Sequence, residues 1–289
     1  MEAQAYLDAH GVETKLKSAV ADALRSRPGD PIAFISEQLL AAAAKSSAAD
    51  SMHPRLIAES YASMTARLEP SPDAPLYDGS PAETTAAALV DLPSLMAGVW
   101  TCTPDIYEEK SYEVDELMVL LSGQLKLTEA DGTSRVLVKD DVFFIPKGWC
   151  GRWDILETIS KLYVIMPELP TNLKVAAGPA IVESYTSMIA RLQEKKVDYT
   201  NVKTTISPLV ERPGLKAGVW TCERDGWDEQ GYEMDELMVM LSGRLKLTGA
   251  DGTSRELVKD DVFFIPKGWC GRWEILEAMS KLYVIMEEK

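Results

Sequence analysis

The sequence predicts a mainly β protein: two tandem antiparallel barrels with short flanking helices, preceded by an N-terminal α-helical hairpin. The segments 97–166 and 217–286 agree at 55 of 70 positions without a gap, so one folding unit has been duplicated. Inside each copy, short apolar runs alternate with turn residues and no helical pattern intervenes, which implies a small barrel or sandwich rather than a parallel α/β sheet. Residues 1–46 differ in kind and carry a helical stripe.

That stripe is Val12, Leu16, Ala19, Val20, Ala23 and Leu24; "RSRPGDP" then breaks the chain, and "DPIAFISEQLL" restarts it with Asp30 as N-cap and Pro31 at the first helical position. Two such helices bury too little to fold alone, so the hairpin is expected to pair with a second copy. Residues 47–86 read as an Ala-, Ser-, Pro- and Asp-rich linker with a helix at about 55–68, and 169–206 as a second linker with a helix at about 179–195. In the latter, Tyr185, Met188, Ile189 and Leu192 stand at helical spacing, which places the helix outside the barrel. The barrels are expected at 87–168 and 207–289. Alternation at Leu125–Thr128 leads into the hairpin signal Asp131-Gly132 and a second strand "SRVLV"; "VFFIP", "GRWDILE" and "KLYVIM" supply further strands.

The formal charge of −15 and a pI near 4.7 disfavour nucleic acid, because a phosphate backbone is met by clustered Lys and Arg. No apolar run approaches a bilayer span, and "MEAQAYLDAHGVE" does not resemble a signal peptide, so the expected setting is intracellular, without membrane contact. Cys102, Cys150, Cys222 and Cys270 fall at matching places in the repeats without CxxC spacing, and read as buried free thiols rather than a disulfide framework or zinc site.

The run "GVWTC…YEVDELMVLLSGQLKL…KDDVFFIPKGWCGRWDILE…KLYVI" resembles the cupin superfamily, in particular the branch of ureidoglycine aminohydrolase-like proteins. The resemblance covers nearly all of both repeats and implies a bicupin of two jelly-roll barrels. Metal-dependent cupins carry an HxH pair, a Glu followed after six intervening residues by a Gly, and PxGxxH. Here Glu116 precedes Gly123 and Glu236 precedes Gly243 at that spacing, but Lys110 and Tyr112, and Gln230 and Tyr232, stand around the histidine positions. Gly151 and Gly271 take the place of the last histidine, and the chain's only histidines are His10 and His53. Since such metals need imidazole ligands, no metal or cofactor is expected. The residues that would face a barrel pocket are Tyr112, Glu116 and Cys150, with Tyr232, Glu236 and Cys270 in the second copy. Glu116 beside Tyr112 either acts as a proton donor or acceptor with a raised pKa, or is held by hydrogen bonds within the barrel or turned to solvent. The second alternative is favoured, because no third group is identifiable to orient a transfer. Trp149 and Trp153 read as packing, and Lys147 and Arg152 as surface charges.

The N-terminal "YLDAHGVETKLKSAVADALRSRPGDPIAFISEQLL" is similar to the dimerisation and docking domain of the kinase regulatory subunit, the RII-alpha or Dpy-type fold. That resemblance implies a homodimeric four-helix unit that grips an amphipathic helix of an anchoring protein, with Leu16, Val20, Leu24, Ile32, Ile35 and Leu39 on the shared face. Docking modules of this type are common in ciliary and flagellar axonemes, especially radial spokes. The expected function is therefore a non-catalytic adaptor among axonemal proteins, located in the cytoplasm, cytoskeleton and cilium, with the barrels as contact modules. The competing expectations are a cytosolic small-molecule-binding or ureidoglycine aminohydrolase-like enzyme, and a nuclear adaptor.

Overall fold

A computed structural model describes residues 30, 32, 34–35, 54–71, 82–92, 95–166, 178–195, 197 and 202–286. The chain divides into two units, 1–54 and 55–289. In the first, Ile32, Phe34 and Ile35 are helical. Asp30 caps them as its spacing predicts: Ile32 N donates to Asp30 Oδ1 at 3.1 Å and Phe34 N to Asp30 O at 3.1 Å. Ile32 is exposed and Ile35 half-buried. Leu16, Val20, Leu24 and Leu39 lie outside the described residues, as does the rest of the expected hairpin.

The second unit opens with β1 (Ile57–Ser60), α1 (Tyr61–Ala66) and β2 (Glu69–Pro70). Barrel 1 follows as β3 (Thr84–Leu92), β4 (Leu95–Cys102), β5 (Asp105–Glu109), β6 (Asp115–Ser122), β7 (Leu125–Glu129), β8 (Ser134–Leu137), β9 (Asp141–Ile145), β10 (Gly151–Ile155) and β11 (Ile159–Met166). A second set begins with β12 (Ile181–Ser184), α2 (Tyr185–Ala190) and β13 (Gln193–Glu194). Barrel 2 is β14 (Thr204–Arg212), β15 (Leu215–Cys222), β16 (Gly226–Gln230), β17 (Asp235–Gly249), β18 (Ser254–Leu257), β19 (Asp261–Ile265) and β20 (Cys270–Met286). In barrel 1 a seven-stranded sheet, β12-β9-β6-β11-β4-β3-β2, faces a four-stranded sheet, β5-β10-β7-β8. In barrel 2 the long strands β17 and β20 run through both layers and join them into one nine-stranded sheet.

The expected helices at about 55–68 and 179–195 are each a four-residue strand followed by a six-residue helix. Ser60 and Ser184 mark the change, since each keeps extended φ/ψ and accepts the N–H of the residue three on. The strands cross over. β1, which precedes barrel 1, pairs antiparallel with β19 of barrel 2 (Ile57↔Phe264 to Ser60↔Asp261), and β12, which precedes barrel 2, pairs with β9 of barrel 1 (Ile181↔Phe144 to Ser184↔Asp141). Each helix then returns to its own barrel. Arg67 binds Glu59 through two nitrogens and reaches Ala88 O at 2.6 Å; Arg191 does the same with Glu183 and reaches Pro208 O at 2.5 Å.

This exchange follows from where the apolar surface lies. The outer faces of the large sheets meet in one shared core, Val99, Leu117, Val119, Phe144 and Leu162 from barrel 1 with Val219, Leu237, Val239, Phe264 and Leu282 from barrel 2, and Met64 and Met188 of the two helices are fully buried in it. The opposite faces of the same strands line the two barrel interiors, around Trp153 and Trp273. A strand buried on both sides reads as a continuous apolar run, which is what "LMVLL" is. No helix among the described residues is long and apolar enough to cross a membrane.

Candidate functional site

The inward face of β6 and β11 brings Glu116 and Lys161 together in a water-poor interior; both are buried, and Lys161 Nζ lies 3.0 Å from Glu116 Oε1. Tyr112 donates its hydroxyl to the other carboxylate oxygen, Oε2. The ammonium also meets Met118 Sδ at 3.0 Å and lies 5.0 Å and 5.2 Å from the ring centres of Trp100 and Trp153, so its charge is held by a carboxylate on one side and two π faces on the other. Barrel 2 repeats the arrangement. Lys281 Nζ is 2.9 Å from Glu236 Oε1, 2.8 Å from Met238 Sδ and 5.2 Å and 5.1 Å from Trp220 and Trp273, and Tyr232 donates to Glu236 Oε2.

The turn "PKGW" positions the tyrosine. Gly148 takes φ 83°, the left-handed value that a type II turn needs at its third residue, and Trp149 N closes the turn on Pro146 O at 3.0 Å. Gly148 N and Trp149 O then bracket the backbone of Tyr112 at 2.7 Å and 2.8 Å, and Tyr232 is bracketed at the same distances by Gly268 and Trp269. Tyr112 stacks on Trp153, which also stacks on Tyr107. Burial, and after it the Glu116 charge, raises the Tyr112 hydroxyl well above its ordinary pKa, so it remains a donor to the carboxylate.

The pairing of Tyr112 with Glu116, and of Tyr232 with Glu236, is as the sequence reading groups them. The hydrogen-bonded alternative is the one realised: both carboxylate oxygens are taken. Cys150 and Cys270 do not join them. Cys150 is exposed, contrary to the expectation of a buried thiol, because its side chain turns to the rim, where Sγ donates to Lys110 O at 2.9 Å; Cys270 is half-buried with Gly268 O at 3.7 Å. Cys102 and Cys222 are the buried thiols, pushed up to about 11 and about 12 by burial and then by nearby carboxylates. Trp149 and Trp153 are core residues and Arg152 is a surface charge, as expected. The reading missed Lys161 and Lys281. The available signal was a charged residue within "SKLYVIM", a strand whose apolar residues fill both alternations.

A cupin metal does not fit these residues. At Gly151, where PxGxxH would supply its histidine, an added Cβ would lie 2.2 Å from Trp149 Cζ2 and 2.6 Å from Thr128 O; at Gly271 it would lie 2.4 Å from both Trp269 and Thr248 O. The indole occupies the space of the imidazole. With Glu116 and Glu236 neutralised by lysine, no cluster of three or more His, Cys, Asp or Glu suited to a metal remains among the described residues.

Comparison with known proteins agrees with this architecture. The EutQ-like cupin domain family matches residues 93–163 and again 212–283. Solved structures similar to the chain include a protein of unknown function of the DUF861 family from Pseudomonas syringae pv. tomato, at 18% identity over 81% of this chain and 100% of that one (TM-score 0.60). A cupin 2 conserved barrel domain protein from Leptotrichia buccalis is similar at 11% identity over 82% and 100% (TM-score 0.55), and Ylba from E. coli, also DUF861, at 13% over 82% and 93% (TM-score 0.54). At these identities the likeness is one of fold. A search of curated proteins found no match.

Proposed function

We propose that this chain, a bicupin carrying two EutQ-like cupin domains, is a non-catalytic adaptor. Its N-terminal hairpin dimerises and docks an amphipathic helix of an anchoring protein, in a ciliary or flagellar axoneme complex of radial-spoke type. The barrels serve as rigid contact modules. The observation that carries this reading is the closed Glu–Lys–Tyr constellation in both interiors: an internal ammonium and a hydroxyl use up each glutamate. A carboxylate bound in this way is not poised to take a proton from a substrate. The docking half of the reading rests on the resemblance of residues 1–46 and on the Asp30 cap.

Metal analysis of the purified chain, combined with a screen of amidohydrolase substrates, should find neither stoichiometric metal nor turnover. Either one would favour a cytosolic cupin enzyme instead. For the docking half, Ile35→Asp with Leu39→Asp should halve the sedimenting mass and release the partner helix, since a charge in an apolar seam is costly. Unchanged mass with retained helix binding would remove the assignment, and a tagged chain found in nuclei with empty cilia would replace the axonemal setting with a nuclear one.

A further inference from the structure

We infer that the outer face of the four-stranded sheet of barrel 1 pairs with the same face of a second copy. Ile106, Asp154, Lys126 and Val136 stand in register across β5, β10, β7 and β8 and form one outward row, in which Asp154 is largely covered by its neighbours and only 7% exposed. Leu156 and Val138, two residues beyond Asp154 and Val136, continue the apolar ends of that row. Ile106 is 53%, Leu156 48%, Val136 48% and Val138 46% exposed.

The equivalent row of barrel 2 reads Gly226, Glu274, Lys246, Glu256. Its charges are satisfied within the face, Lys246 with Glu274 at 3.3 Å and Arg244 with Glu256 at 2.7 Å and Glu277 at 3.3 Å. Four of the 15 positions at which the repeats differ, 106, 124, 136 and 154, fall on this face. Val258 of barrel 2 is as exposed as Val138, at 46%, so the two faces differ at the row itself, where barrel 1 has apolar Ile106 and Val136 and barrel 2 has Gly226 and Glu256. In barrel 1 the central Lys126 has no ion pair among the described residues, and Asp154 is engaged by Arg152 through Oδ1 alone.

The order apolar, acid, base, apolar is self-complementary. A two-fold axis lying in the interface plane, parallel to the strands and midway between β10 and β7, sets Ile106 against Val136 of the partner subunit and Asp154 against Lys126 of the partner subunit, twice over. An isologous contact requires this reciprocity, and opposite charges between apolar corners fix its register. At a strand spacing of ~4.8 Å the face is about 19 Å wide and offers roughly 300 Å² per copy. That is well short of the ~1,200 Å² total of a free-standing interface, so the contact serves copies already tethered at high effective concentration. It therefore rests on the hairpin dimer of the proposed function.

Cysteine pairing in the full chain tests it. In a Cys150→Ser, Cys270→Ser background, Ile106→Cys and Val136→Cys chains carrying different tags are co-expressed and oxidised with copper phenanthroline. The expected product is a covalent heterodimer at least 5-fold above either single variant alone, and 5-fold above the barrel 2 control pair Gly226→Cys with Glu256→Cys. A 106–136 yield no greater than these controls overturns the pairing. Sedimentation of the unmodified chain separates the two readings: a monomer sinks the hairpin dimer, whereas a dimer without the 106–136 link sinks this face alone.

Discussion

Lys161 lies 3.0 Å from Glu116 in barrel 1 and Lys281 lies 2.9 Å from Glu236 in barrel 2, with the same tyrosine, methionine and pair of tryptophans around each. On the opposite side of the fold, Ile106 of barrel 1 becomes Gly226, Val136 becomes Glu256 and Gln124 becomes Arg244. The difference follows from what each position costs to alter. A buried ion pair locks both of its members, because removing one strands the other in a medium that solvates charge poorly. An exposed strand position changes its side chain for fractions of a kcal/mol. After duplication the ion-pair constellation has stayed identical, the apolar lining around it has exchanged one hydrophobe for another at 107, 120 and 159, and the outer faces have become free to acquire separate contacts.

The largest test of this contrast is Lys161→Met, which leaves Glu116 without its counter-ion and should lower stability by about 3–5 kcal/mol in urea unfolding. Adding Glu116→Leu should restore most of the loss, since an apolar pair replaces the ion pair without an orphaned charge. Lys281→Met should match its counterpart within about 1 kcal/mol; a tolerated Lys281→Met would mean that the barrels differ inside after all. A smaller loss, about 1–3 kcal/mol, is expected for Gly151→Ala, whose new methyl must displace the Trp149 ring or the Thr128 carbonyl. Gly271→Ala should follow it, read by the same unfolding curve.

Much of the fold was legible because its signals are local. Asp131-Gly132 predicts the β7–β8 hairpin, and there Gly132 takes φ 86° while Thr133 N donates to Asp131 Oδ1 at 2.8 Å. Other features were not legible because their causes lie far along the chain. "IAES" reads as the start of a helix, yet it is a strand whose partner, Asp261–Phe264, is about 200 residues away. Of the site, Glu116 and Tyr112 could be grouped by their four-residue separation. Lys161 stands 45 residues from Glu116, and only the register Ile165↔Glu116 with its neighbours puts the two on one interior face.

The buried thiols extend the comparison to pH. Cys102 and Cys222 are raised to about 11 and about 12 in the folded chain, above the unfolded value of ~8.5. A folded pKa that is raised means that the stabilisation is complete below the unfolded value and is lost as pH rises through the folded one. Stability should therefore be flat from pH 7 to 8 and fall above about pH 8.5, a fall that ends at about pH 11 in Cys222→Ala, which keeps only Cys102 of the two, and at about pH 12 in Cys102→Ala, which keeps only Cys222. Exposed Cys150 should react with a thiol reagent at pH 8 while Cys102 and Cys222 do not, as peptide mapping would show.

The smallest effect is expected outside. Glu256→Val removes one arm of an exposed pair, but Arg244 keeps Glu277 at 3.3 Å, and exposed pairs contribute little; the change should stay within about 0.5 kcal/mol. Val136→Glu places a carboxylate in register with Lys126 and should be as mild, provided that it is measured in an Ile35→Asp chain, in which the proposed dimer would be disrupted. In the dimer proposed above, the same substitution would set Glu against Ile106 of the partner subunit and should weaken self-association. A Val136→Glu variant that loses more than about 1 kcal/mol in the monomeric background would show that Val136 stabilises its own barrel, and the contrast between a fixed interior and a free outer face would then fail at that position.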